Sequence, residues 1–256
     1  MSDTLCNEKK KSYTFSEDGN SCIITETRTP RYWYNYLWNE NHYCAQISQT
    51  GHGRSYYLSE KADMCMMNQD DARYIYLRDE KSKECWNIGE GPLNTEVENY
   101  QCVHSIGSSR IQSSYQNIAS SWRLFVPEEG YQEVWTLKIK NTGERQRHLS
   151  IFSAVSFYLE GFSYPRYEKL KGVYCRSAHP FAPHKRYNAF LAASEPAYAY
   201  DGNLEAFCGT TSTITRLDAS ASALFQRPDI VVKGKDCTNS KAALFILGGV
   251  LQHKMV

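Results

Sequence analysis

Histidine and carboxylate side chains are the groups through which this 256-residue chain could move protons, and they are scattered. His52, His104, His179 and His184, with Glu160, Glu168 and Glu205, could supply an acid and a base, yet no spacing singles out a pair. Asp70 Asp71, Asp79 Glu80 and Glu128 Glu129 are adjacent carboxylates. Neighbours along a strand point to opposite faces, so these pairs cannot flank one glycosidic bond and read as solvated turn residues. His179 and His184 flank a Pro-Phe-Ala-Pro segment, share no helix face and lack a nearby Cys or Asp as third ligand, so no metal site is expected. Gly51 His52 Gly53 is too short to cradle a phosphate and reads as a tight turn. No Gly-x-Ser-x-Gly elbow, Walker loop or His-Glu-x-x-His occurs, and no catalytic set is expected within the chain.

Binding chemistry is better represented. Thr29 to Asn39 packs Tyr32, Trp33, Tyr34, Tyr36, Leu37 and Trp38 behind Pro30, and Cys44 to Gln49 leads into the glycine turn. Each ring removes a large apolar area from water, and flat rings are also what sugar faces stack against. The passage therefore reads as sheet core first, the commoner fate of such rings, or as a carbohydrate platform.

The elements that must position these residues are strands. Apolar residues alternate with period two throughout, and no long stretch shows apolar spacing of three and four. Trp135, Leu137 and Ile139 share one face, Asn141 Thr142 Gly143 turns the chain, and Leu149, Ile151, Val155 and Phe157 share another, which predicts a hairpin over Glu133–Leu159. Trp122, Leu124 and Val126 mark a preceding strand ended by Pro127. Tyr74 to Arg78 and Glu84 to Trp86 predict a second hairpin around Asp79 to Ser82, and Tyr100 to His104 a further strand closed by Gly107. Strand following strand through short turns selects an all-β fold, a large antiparallel β-sandwich. Residues 1–28 are expected to form N-terminal strands or a hairpin belonging to the sandwich, and 29–256 its main body. Phe162 to Asp201, with four prolines among many tyrosines, is expected to hold long loops or short edge strands. The strand-like run Ala243 to Leu251 is followed only by residues to Val256, so a terminal strand without a neighbour, and truncation of a longer parent, are expected.

Composition narrows the setting. There are 29 basic and 28 acidic residues, a net charge of +1, and no basic block longer than Lys9 to Lys11, which gives no case for nucleic acid or an anionic membrane as partner. Ala242 to Leu251 is too short to cross a bilayer, the N-terminus lacks the apolar centre of a secretory signal, and no Asn-x-Ser/Thr acceptor occurs. A cytoplasmic location is the expectation. Nine scattered cysteines without a Cys-x-x-Cys pair read as reduced structural thiols, with Cys44 and Cys102 acting as small hydrophobes.

One ordered set of segments goes further. Thr29 Pro30 Arg31 with Trp33, Asn35, Tyr36 and Asn39 comes first, then Ser48 to Gly53 with Ser55, then Arg73 to Asp79 with Trp86. Tyr100 to His104 with Gly107, Phe125 Val126 Pro127, Glu133 to Leu159, Phe207 with Gly209, and Cys237 to Ser240 follow. This series resembles the N-terminal region of glycoside hydrolase family 94, formerly glycosyltransferase family 36, whose members include cellobiose, chitobiose and cellodextrin phosphorylases. Tyr32 stands where a proline is common, and Tyr164 to Tyr200 matches poorly.

The resemblance implies a supersandwich of the galactose mutarotase type. It would be joined, in a longer parent, to an (α/α)6 barrel that holds the catalytic carboxylic acid and is absent here. In that family phosphate replaces water as the attacking group and cleaves a β-glucosidic bond with inversion, so one carboxylic acid suffices where hydrolysis needs two. The implied role is a non-catalytic module that supports carbohydrate binding and domain or dimer packing. Inorganic phosphate would be the parent's co-substrate, no cofactor is implied, and the partners would be a β-linked gluco-oligosaccharide, the missing barrel and a second copy. Trp33, Tyr34, Trp38, His52 and His104 are the candidate sugar contacts. The competing expectations are a stand-alone aldose epimerase, using His104 or His179 with Glu205 as acid and base, and an independent sugar-binding module.

Overall fold

The computed structural model describes residues 12–58, 63–67, 73–89, 93, 95–161, 182–183, 189–194, 204–209, 214–218 and 242–251. Over them the regular structure is all strand. In chain order the strands are β1 (Tyr13–Phe15), β2 (Ser21–Ile24), β3 (Tyr34–Trp38), β4 (Tyr43–Ser48), β5 (Ser55–Leu58) and β6 (Asp63–Met67). Then come β7 (Arg73–Asp79), β8 (Cys85–Asn87), β9 (Glu98–Ser105), β10 (Ser108–Tyr115), β11 (Ile118–Phe125) and β12 (Val134–Asn141). The remainder are β13 (Arg147–Gly161), β14 (Ala182–Pro183), β15 (Ala189–Ser194), β16 (Leu204–Gly209), β17 (Ile214–Asp218) and β18 (Ala242–Leu251).

One sheet runs β1-β2-β9-β10-β11-β12, and a second runs β17-β18-β13-β6-β5-β4-β3 with β7 beside β13 and β8 beyond it. A third, β14-β15-β16, lies against β13. Neighbours pair antiparallel, as the sequence predicts for an all-β sandwich.

The core forms because period-two alternation points one residue in two inward on both facing sheets. Across the first sheet a single register row runs Ile24, Cys102, Ile111, Trp122, Leu137. Leu37, Tyr43, Ala45, Ile47, Ile75, Leu77 and Trp86 meet it from the second. Each such aliphatic or aromatic side chain contributes roughly 1.5–3 kcal/mol by leaving water. β7 departs from alternation: all seven of its residues are buried, since the second sheet is covered on both faces there. Cys44 and Cys102 are buried free thiols, acting as the small hydrophobes expected of them.

The predicted β7–β8 hairpin forms, pairing Leu77 with Trp86. The predicted hairpin over Glu133–Leu159 does not. β12 pairs β11 in the first sheet, whereas β13 pairs β7, β18 and β6 in the second. Both edges of β13 over residues 149–155 are occupied by β7 and β18, so no edge remains for β12. Asn141 to Gly143 is therefore a corner between sheets, held by Thr142 N–H donating to the Asn117 carbonyl at 2.8 Å and by Asn141 Nδ2 donating to that of Arg145 at 2.7 Å.

Two further expectations are corrected. The last strand does not lack a neighbour, because β18 lies between β13 and β17. Asp79 is not a solvated turn residue: it is 4 % exposed, and Arg147 Nε donates to its Oδ2 at 2.5 Å. Glu80 beside it accepts from Arg78, Lys83 and Ser150. Burial pushes its pKa up, but the hydrogen bonds from these three residues and the Arg78 charge outweigh burial and bring it down to about 2. Glu128 and Glu129 are exposed as expected, while Asp70, Asp71 and most of Phe162 to Asp201 lie outside the described residues.

Candidate functional site

β3 and the glycine turn after β4 bring two of the expected contacts, Tyr34 and His52, to one end of the second sheet, while Trp38 stands at the other end of β3 and His104 lies on β9 in the first sheet. Gly51 and Gly53 make the turn possible. Gly51 has φ of 92° and its missing Cβ would lie 2.4 Å from the Trp122 ring; Gly53 has φ of 137° and a Cβ there would lie 2.0 Å from the Gln46 carbonyl oxygen. His52, between them, faces Tyr74 edge-on at 4.9 Å between ring centroids and Tyr32 at 6.4 Å. Tyr34 follows Tyr32 at 6.2 Å and Tyr76 stacks on Tyr74 at 5.8 Å, so five rings form one continuous aromatic row.

Trp33 and His104 belong to the fold's interior. The half-buried Trp33 ring packs on Tyr13 at 4.6 Å, and the Trp33 backbone N–H donates to Gln49 Oε1 at 2.8 Å. Its carbonyl accepts from His104 Nε2 at 3.1 Å, which fixes the His104 tautomer and leaves Nδ1 to accept from Ser109 Oγ at 2.9 Å. Asn35 Nδ2 donates to the same Ser109 oxygen and to the carbonyls of Ser105 and Ser108. The group ties the edge of the second sheet to the β9–β10 turn of the first. Burial holds the His104 pKa below its ordinary value, so the ring stays neutral with both nitrogens engaged. His179, the alternative epimerase histidine, lies outside the described residues, and Glu205 is placed only as a position in β16.

Tyr36 and Trp38 face water. They are 54 % and 72 % exposed on the outer face of β3, while Leu37 between them is buried. Gln46, opposite Tyr36 on β4, donates Nε2 to the tyrosine hydroxyl at 3.1 Å. The turn after Trp38 is rigid: Asn39 Nδ2 donates to the carbonyls of Pro127 and Gly130 at 2.9 and 2.7 Å, and Gly130 N–H donates to Asn41 Oδ1 at 2.8 Å. Tyr36 was not among the expected contacts, although its period-two spacing between Tyr34 and Trp38 carried the signal.

A buried ionic group was also missed. Arg73, fully buried, donates Nε and Nη2 to the two oxygens of Glu133 at 2.6 and 2.7 Å and Nη1 to the Gly53 carbonyl at 2.9 Å. Glu133 also accepts from Tyr43 Oη at 3.1 Å and Trp135 Nε1 at 2.9 Å. Burial pushes the Glu133 pKa up, but the Arg73 charge and these donors outweigh it and hold it below the ordinary carboxylate range. The available hint was a single arginine opening the otherwise apolar run Tyr74 to Leu77. Glu133 is thus held as a structural anion, unsuited to giving up a proton. Among the described residues no cluster of His, Cys, Asp and Glu is arranged to hold a metal ion.

Comparison with known proteins agrees with this architecture. Residues 20–243 match the family model described as glycosyl hydrolase 94, supersandwich domain. The chain is 32 % identical to a solabiose phosphorylase of Paenibacillus borealis over 93 % of its own length and 32 % of the relative's. It is 33 % identical to a 3-O-beta-D-glucopyranosyl-beta-D-glucuronide phosphorylase of the same organism, over 93 % of this chain and 30 % of that one. It is 26 % identical to an N,N'-diacetylchitobiose phosphorylase of Vibrio furnissii, over 94 % of this chain and 31 % of that one. The chain thus spans about a third of the length of these relatives. With its antiparallel sheets and a match covering most of its residues, this chain belongs to the glycosyl hydrolase 94 supersandwich domain family.

Proposed function

We propose that this chain is a non-catalytic supersandwich module of an inverting disaccharide phosphorylase, which packs against a catalytic (α/α)6 barrel and helps to present a β-linked gluco-oligosaccharide to it. The observation that carries the reading is the extent of the match: nearly the whole chain aligns, yet only with about a third of each phosphorylase. Charge placement supports it, because the buried carboxylates Glu133 and Asp79 are each bound by an arginine and kept ionised. A general acid needs the opposite, a carboxyl whose proton is retained near neutral pH. In this reading inorganic phosphate is co-substrate of the barrel, the working compartment is the cytoplasm, and a second copy is a further packing partner.

The epimerase reading has less support, since His104 spends both nitrogens on Ser109 and Trp33. The test is direct: purified chain, mixed with inorganic phosphate and a panel of β-glucosides, releases no sugar 1-phosphate. Turnover above the uncatalysed rate would overturn the proposal.

A further inference from the structure

We infer that the outer face of the first sheet, over β10, β11 and β12, is a docking surface for an acidic protein segment. This goes beyond the module reading and does not depend on it. Arg110, Arg123, Lys138 and Lys140 are all exposed on that face, since they alternate along their strands with the core residues Ile111, Trp122, Leu137 and Ile139. Register gathers charges that lie far apart in sequence. Arg110 stands directly opposite Arg123, and Lys138, opposite Ser121, and Lys140, opposite Ala119, continue the line onto β12. Like charges directly opposite each other on a sheet work against folding. Here nothing offsets them: Arg73, Arg78, Lys83 and Arg147 each meet a carboxylate, whereas among the described residues none of these four does, and the Arg123 guanidinium only covers the Phe125 ring at 4.7 Å. Glu98, the carboxylate in register with this face, stands opposite Ser114 at its far corner on β9.

The residues between the charges select the partner. Single-stranded nucleic acid is held by rings that stack its bases among the cations, and a membrane surface by large apolar side chains that enter it. The positions between these four charges carry neither, being Gln112, Ser121, Ala119 and Thr136. An extended polypeptide presents side chains about 7 Å apart on one face, the spacing of alternate rows on this sheet, and its carboxylates pair with guanidinium and ammonium groups while the short polar side chains hydrogen-bond around them. β12 ends the sheet, with an outer edge that no described strand pairs, so a segment of that kind can also add to it through backbone hydrogen bonds.

The experiment follows the fluorescence anisotropy of a labelled peptide of alternating glutamate and threonine as the whole chain is titrated in at low salt, with an oligothymidylate of equal charge and phosphatidylserine-containing vesicles as the competing probes. We expect the peptide to bind, about tenfold more weakly in ~0.5 M NaCl and about fivefold more weakly in Arg110→Gln/Arg123→Gln. The control Arg31→Gln/Lys81→Gln removes the same charge from exposed positions elsewhere and is expected to bind as wild type. Arg110→Gln alone is expected to raise the thermal midpoint, because it ends the opposition of two like charges. No detectable binding by the wild-type chain, equal weakening in the control, or tighter binding of the oligothymidylate or the vesicles overturns the proposal. So does a lowered midpoint in Arg110→Gln, which would make the arginine a part of the fold. The module reading is untouched by any of these outcomes and falls on phosphorolysis alone.

Discussion

Arg73 and Glu133 meet side-on across the two sheets, Nε to Oε2 at 2.6 Å and Nη2 to Oε1 at 2.7 Å, with the arginine fully buried. The arginine opens β7 in the second sheet, and the glutamate stands just before β12 in the first. Such a pair is costly to desolvate, and it holds because four donors from Arg73, Tyr43 and Trp135 occupy the carboxylate oxygens.

Removing both partners should therefore cost less than the two single losses added together. Glu133→Gln or Arg73→Met alone is expected to destabilise by about 3–5 kcal/mol in urea unfolding, and the double substitution by clearly less than the sum. Additive losses would show that the two groups do not depend on each other.

The histidine clamp predicts acid lability. His104 has a folded-state pKa below 6.5, so the unfolded chain takes up the proton first, and the stability it contributes is present above about pH 6.5 and lost as pH falls towards the folded value. His104→Gln should flatten that slope between pH 5 and 7, measured as urea midpoint against pH. A slope unchanged in the variant would assign it to other groups.

Two glycines in different turns, Gly51 after β4 and Gly19 between β1 and β2, separate two kinds of strain. Gly51→Ala meets the Trp122 ring at 2.4 Å with φ at 92°, and is expected to cost about 2–4 kcal/mol. Gly19→Ala has φ at 72° with nothing within 4 Å, and is expected to cost about 1 kcal/mol. Thermal melts of the two variants rank them, and equal losses would remove the role given to Trp122.

Exposure of Trp38 sets a further contrast. Trp38→Ala should alter stability by no more than about 0.5 kcal/mol, while Trp122→Ala, almost fully buried in the core, should cost about 3–5 kcal/mol. Chemical denaturation of both variants measures the difference.

Much of this molecule is written in its alternation. Period two placed Cys102, Trp122 and Leu124 in strands with buried faces and marked the β7–β8 hairpin, because which face a side chain takes depends only on its parity along the strand. The ordered motif set pointed to the family that the match over residues 20–243 bears out. Among the aromatic candidates, composition could not separate Trp33, half-buried against Tyr13, from Trp38, exposed five residues on.

What the sequence by itself determined is strand content, facing and family, since these arise from residue types and local spacing. Tertiary structure alone decided which edges meet, because backbone hydrogen bonds carry no side-chain identity: β12 and β13 were legible as strands, but not as members of different sheets. It also decided which ionisable groups are spent. Arg73 lies 60 residues from Glu133, and His104 lies 71 from Trp33, distances at which only folding can set the desolvation and charge that fix a proton's affinity.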